Sequence, residues 1–274
     1  MNGSDDALLL PGFHRHGTLI LRTGQADEVP YALFENALPS SAEVQQILAE
    51  GFGVHLVQVP PEGRDLRFLR QFVGLTHLGV IGVEYDTRAI RELGSLRTLE
   101  LSVAGAPETD LSGLTNLRTF SGFLHPNESV LRAPGLLSAS FQDTREGVVP
   151  LIPSQLRELS LISAGNVRQL SPAAADPELT SLVINRTRTF DVASLRAFPR
   201  LESISFMQVR ELANIEALAD LPLRELGLLN VRRVDNLDAL GALSDVSIGV
   251  SGSLTLELRS VAGRSEAQWD FFRL

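Results

Sequence analysis

Residues 90–122 read IRELGSLRTLELSVAGAPETDLSGLTNLRTFSG, and the spacing of their apolar residues decides the fold. Leu96, Leu99 and Leu101 form the phrase L-x-x-L-x-L, and Leu117, Phe120 and Gly122 repeat it 21 residues later. Working outward, the phrase precedes this stretch at Leu75/Leu78/Val80. It follows at Leu136/Ala139/Phe141, Leu156/Leu159/Leu161, Leu179/Leu182/Ile184, Leu201/Ile204/Phe206, Leu223/Leu226/Leu228 and Leu243/Val246/Ile248. A weaker copy, Val54/Val57/Val59, opens the series, and the middle anchors are 19 to 23 residues apart. A fixed short period means one supersecondary unit stacked on copies of itself.

The x-x-L cadence also extends upstream, as in Ile90-x-x-Leu93-x-x-Leu96 and Leu111-x-x-Leu114-x-x-Leu117. These phrases resemble the leucine-rich repeat family, in its class of about 22 residues per repeat, and are similar to the internalin-like and phosphatase-regulator-like subfamilies. The resemblance covers residues 54–250 and implies an α/β solenoid with a curved parallel sheet on the concave face and short turns on the convex one. One departure marks a divergent branch. The family places Asn or Cys three residues after the last Leu of the phrase, where the side chain caps backbone groups. Here that position holds Val83, Ala104, His125, Thr144, Ala164, Thr187, Val209, Val231 and Ser251. Without an Asn ladder, the turns are expected to satisfy their backbone through water or a different loop path.

Composition narrows the function classes. Hydrophobic residues make up 44% and charged residues 21% of 274, which fits a folded soluble chain. Cysteine is absent, so thiol catalysis, disulfide staples and Cys-based zinc sites are excluded. All 24 basic residues are arginine and none is lysine. That bias fits either GC-rich codon use or avoidance of lysine modification, and it rules out Schiff-base and P-loop lysines. A net charge of −9 without a basic tail argues against nucleic acid as a ligand. The acidic start, Met1 to Asp6, lacks the basic region of a secretory signal, and no apolar run reaches membrane-span length. A cytoplasmic monomer without a cofactor is the expectation.

Residues 1–53 read as an N-terminal cap, 54–250 as about ten repeats, and 251–274 as a C-terminal cap. In the first, Ala7–Leu10 and Thr18–Arg22 are expected as short strands. Ser40-x-x-Glu43 is a capping box for a helix carrying Val44, Ile47 and Leu48 on one face and ending near Gly51. The threefold cadence, as in Leu212-x-x-Ile215-x-x-Leu218-x-x-Leu221, suits 3₁₀ turns. Val246–Val250 and Leu254–Leu258 both alternate around Ser251-Gly252-Ser253, which predicts a closing β-hairpin. The tail with Trp269, Phe271, Phe272 and Leu274 is expected to pack over the last repeat.

With the leucines inward, function falls to the residues between them. One outward row is mostly small: Gly79, Glu100, Ser121, Ser140, Ser160, Val183, Ser205, Gly227 and Ser247. Beside it, Ile81, Phe123, Ile162, Met207 and Leu229 are expected as solvent-exposed apolar residues, with Glu100, Glu158 and Glu225 as a charged border. Anchors, room and a charged rim are what a protein interface requires. Arg188, Arg210 and Arg232 recur at one position beyond the strand, with Arg145 matching further up, and form a candidate anion-binding rim. Glu211, Asp235 and Asp191 are the alternative, as neutralising neighbours. Arg97, Arg118, Arg157 and Arg224 form a second column at the strand starts, within expected reach of Glu100 and Glu158. His14-x-His16 reads as a polar turn rather than a metal site, Gly51-Phe-Gly53 lacks a third glycine, and no G-x-S-x-G elbow occurs. The sequence therefore points to a non-catalytic module that binds another protein on its concave face, as an intracellular bacterial inhibitor, immunity-type protein or adaptor. The alternative is a lysine-free effector acting in a host cell, with an enzyme last.

Overall fold

The computed structural model describes residues 13–22, 29–144, 151–243, 245–262 and 268–271. The chain divides into two compact units, residues 1–136 and 137–274.

In the first unit, β1 (Phe13–His16) and β2 (Leu19–Arg22) form an antiparallel hairpin, and β3 (Tyr31–Glu35) pairs antiparallel with β2. The helix α1 (Ser41–Glu50) follows, then β4 (Gly53–Val57), β5 (His77–Val83), β6 (Thr98–Ala104) and β7 (Thr119–Gly122). From β3 to β7 every pairing is parallel and between sequence neighbours. Each strand turns two residues of the phrase inward, and Leu78, Val80, Leu99, Leu101 and Phe120 have no solvent exposure. The returns are short 3₁₀ segments at Pro61–Gly63, Arg67–Gln71, Thr87–Glu92 and Glu128–Arg132. Three residues per turn set every third side chain on one side, and Leu66, Leu69, Phe72 and Leu75 are all buried. Their amides continue the same rhythm: Leu69 N–H donates to Leu66 O, Phe72 N–H to Leu69 O and Leu75 N–H to Phe72 O. The capping box forms as read, with Glu43 N–H donating to Ser40 Oγ and Ser40 N–H to Glu43 Oε2 at 2.8 Å. Gly51 ends the helix in the left-handed region, φ 71°.

In the second unit, the main parallel sheet runs β8 (Ser138–Phe141), β9 (Glu158–Leu161), β10 (Ser181–Asn185), then β12 (Ser203–Met207), β14 (Glu225–Leu229), β16 (Ser247–Ser251) and β17 (Gln268–Phe271). Between them, β11 (Thr189–Asp191), β13 (Glu211–Ala213) and β15 (Arg233–Val234) make a second, three-stranded parallel sheet. Further 3₁₀ returns span Val192–Ala197, Ile215–Asp220 and Leu237–Ala242, and a helix, α2, spans Thr255–Ala262.

Four expectations need correction. The first copy of the phrase is not Val54/Val57/Val59: Val54 pairs with Leu78 and Leu56 with Val80, so Val54 and Leu56 point inward. The last copy also slips, by two, because Leu226 pairs with Ile248 and Leu228 with Val250. The C-terminal hairpin does not form. Leu254, Leu258 and Val261 are spaced as one helical face and are buried with α2, while β17 adds to β16 in parallel, Trp269 opposite Ile248. The segment Leu254-Thr-Leu256-Glu-Leu258 satisfies both periods over five residues, and the helix carries the chain back to start one more parallel strand. Finally, His14 and His16 lie in β1 rather than a turn, with His16 Nε2 3.7 Å from Glu50 Oε1. The expected strand at Ala7–Leu10, and Arg145, Phe272 and Leu274, lie outside the described residues.

The turns manage without an Asn ladder in two ways. A residue in the left-handed region recurs beyond the strand at Asn36, Gln58, Glu84, Arg186, Gln208 and Asn230, φ between 51° and 59°. Each donates its own N–H to the next repeat, to Val57 O, Ile81 O, Ala104 O, Met207 O, Leu229 O and Ser251 O. Backbone hydrogen bonds thus replace the side-chain ladder, at a conformational cost of about 1 kcal/mol per non-glycine residue. In the first unit, hydroxyls serve the returns as well. Thr87 Oγ1 and Thr109 Oγ1 are 2.7 Å apart, and Ser129 Oγ donates to Thr109 O while accepting from Leu111 N–H. Ser129→Ala strands that amide and that carbonyl in the interior, and should cost about 1–3 kcal/mol in urea denaturation. A loss below a few tenths would mean that the hydroxyl is dispensable.

Candidate functional site

The open face of each sheet carries the residues that alternate with the buried ones. In the first unit the row that holds Gly79 and Ser121 reads Leu33, His55, Gly79, Glu100, Ser121 by strand pairing, and the row beside it begins Glu35, Val57, Ile81, Ser102. Phe123 follows directly after β7, and its carbonyl accepts from Asn127 Nδ2 at 3.0 Å. In the second unit the small row is Ser140, Ser160, Val183, Ser205, Gly227, Gly249. Asn185, Met207, Leu229 and Ser251 stand beside it, with Ile162 just past β9. Of the five apolar residues expected in solvent, Ile162 alone is exposed, at 36%. Ile81, Phe123, Met207 and Leu229 are half-buried. Side chains standing about 4.8 Å apart along a row shade one another's flanks. Asn185 Oδ1, in the same row, is buried without a hydrogen-bond partner.

Pairing adds a cluster in the first unit that the sequence reading missed. Tyr31 lies beside both His55 and His77, with Tyr31 to His55 ring centroids at 6.0 Å and Tyr31 to His77 at 6.2 Å. Two glycines make the room. A Cβ on Gly53 would stand 2.8 Å from Tyr31 Cδ1, and one on Gly79 would stand 2.7 Å from His55 Cδ2. His55 is buried, and its Nε2 lies 3.9 Å from Glu100 Oε2 without a hydrogen bond. Burial lowers the His55 pKa, Glu100 opposes that shift, and Arg22 adds to it. Burial also lowers the His77 pKa, helped by Arg97. Both rings are therefore held toward the neutral form. The signal for His55 was hidden by the slip in the first repeat.

The charged residues follow the stack. Most ion pairs join arginine to a carboxylate about one repeat away: Arg70 to Glu92, Arg132 to Asp110, Arg157 to Glu178, Arg196 to Asp220, Arg200 to Asp176, Arg224 to Glu202 and Arg233 to Glu211. In the strand-start column, Arg157 and Arg224 take Glu178 and Glu202 rather than Glu158 or Glu100, and Arg118 Nη1 donates to Gly135 O at 2.8 Å. Glu158 is exposed, and Glu225 accepts from Ser203 Oγ at 3.2 Å.

Arg188, Arg210 and Arg232 are exposed, each three residues past the end of its strand. Their expected neutralisers are engaged elsewhere. Glu211 pairs with Arg233, Asp191 accepts from Ala193 N–H and Asn214 Nδ2, and Asp235 accepts from Asn214 N–H. Among the described residues, no group of three or more His, Asp or Glu is placed to hold a metal ion. No helix there is long and apolar enough to cross a membrane.

Consecutive parallel strands joined by 3₁₀ returns over a leucine core define a leucine-rich-repeat-like fold. Comparison with solved structures agrees: the chain is similar to an internalin, InlF, from Listeria monocytogenes, at 18% sequence identity and a TM-score of 0.50. The match covers 89% of this chain and 67% of that one, and at this identity it concerns the fold. No protein-family model and no curated protein matches the sequence.

Proposed function

We propose that the chain is a non-catalytic protein-binding module that presents the open faces of its sheets to a partner. The observation that carries this reading is the row of apolar side chains beside a row of small ones. Ile162, Met207 and Leu229 stand next to Ser160, Ser205 and Gly227 in the second unit, bordered by Glu158 and Glu225. Ile81 and Phe123 stand next to Gly79 and Ser121 in the first unit, with Glu100 between those two small residues. These residues are anchored on or directly beside hydrogen-bonded strands, so little ordering cost remains to be met on association. An intracellular inhibitor, immunity-type or adaptor role would use such a surface.

Phe123→Glu and Met207→Glu, each tested alone, are expected to abolish capture of a partner from lysate of the source cell while the far-UV spectrum and cooperative melting persist. Because both positions are half-buried, Ile162→Glu at the most exposed anchor serves as a third variant. An identical set of captured proteins with all three variants would sink the reading.

A further inference from the structure

We infer that Arg188, Arg210 and Arg232 form a binding site for a short run of acidic residues in a protein partner. The inference rests on the protein-binding reading for the class of partner and adds its chemistry. The three arginines occupy successive rungs of one ladder: Arg210 N–H donates to Thr187 O, Arg232 N–H to Val209 O, and Glu211 N–H to Arg188 O. Each leads directly into β11, β13 or β15, so their backbones are held at strand spacing. Elsewhere in the unit, one repeat away from an ion-paired arginine stands a carboxylate. Here the residue one repeat away is another arginine. Among the described residues none of the three side chains has an ion pair or hydrogen bond, and the carboxylates nearest in sequence are committed to helix caps, Asn214 and Arg233. Like charges stacked this closely repel until an anion enters between them.

The dimensions select the occupant. Three rungs at strand spacing span about 10 Å between the outer positions, the length of three or four residues of extended chain. Guanidinium forks on successive rungs match carboxylates on such a segment, each able to form paired N–H···O bonds. A nucleic acid or an anionic membrane would extend well past the column, over a chain with 33 acidic and 24 basic residues, and would be repelled there. A short acidic run avoids that penalty.

The test is fluorescence anisotropy of a dye-labelled peptide carrying four consecutive aspartates, titrated with the full chain at low ionic strength. The expected result is saturable binding that weakens with salt. The triple variant Arg188→Gln/Arg210→Gln/Arg232→Gln should bind about tenfold more weakly or worse. The matched variant Arg64→Gln/Arg91→Gln/Arg97→Gln, with the same change in net charge, should bind as the parent does. Equal loss in both variants would mean that overall charge alone is responsible, and would overturn the site. So would an absence of binding by the parent chain, or binding of inorganic phosphate or single-stranded DNA in preference to the peptide. Peptide anisotropy reads this site and lysate capture reads the open faces, so the two can fail separately.

Discussion

Gly122→Leu, which restores the residue that the repeat phrase calls for, is expected to destabilise the first unit by about 3 kcal/mol or more. The position pairs with Leu101 and points inward, so the pattern alone makes leucine look like an improvement. Geometry says otherwise. A Cβ at Gly122 would stand 2.3 Å from the Leu101 carbonyl oxygen, 2.9 Å from its carbon and 3.2 Å from Phe120 Cζ. The first two atoms belong to the backbone of the adjacent strand, which cannot withdraw without breaking its pairing. The fully buried Phe120 ring also crowds the site. Urea denaturation of Gly122→Ala and Gly122→Leu should show loss in that order of severity. A leucine variant as stable as the parent would show that β6 and β7 can part at no cost.

Phe206→Ala should cost about 3–5 kcal/mol, by the lost transfer of the ring and the cavity left behind. Phe206 lies inward on β12, opposite Ile184 and Leu228, and its ring centroid is 5.7 Å from that of Phe190. Both rings are fully buried. Since each repeat touches chiefly its neighbours, amide exchange should accelerate first on β10, β12 and β14. Acceleration spread evenly over the chain, or a cost below 1 kcal/mol, would contradict this account of local stacking.

The parts of the fold that could be read in the sequence are those where a period is long enough to exclude its competitors. The phrases from Leu78 to Phe120 and from Ala139 to Leu226 pair in the register their spacing implies. Short apolar runs do not carry that information. Val54, Leu56, Val57 and Val59 contain two pairs with the same internal spacing, and choosing the wrong one shifts the strand by three. An odd shift exchanges its faces, and this took His55 off the open surface and out of consideration. At Val246 to Val250 the shift is even, so the faces survive and only the rows move. At Leu254 to Leu258 the strand and helix periods coincide, and burial of Val261 decides for the helix. The arginine positions were legible but their partners were not, because ion pairs form one repeat away and depend on the final stacking register.

The left-handed residues beyond the strands have a consequence for how this surface can change over generations. An asparagine ladder commits one side chain per repeat to the frame. Here the link is an amide, from Asn36, Gln58, Glu84, Arg186, Gln208 and Asn230, and an amide is supplied by every residue except proline. Those six side chains are not needed to hold the link. Arg186 and Gln208 already use the freedom, joined Nε to Oε1 at 2.8 Å. The edge of each unit is thus open to inheritable variation one repeat at a time, with a frame that does not have to be redesigned.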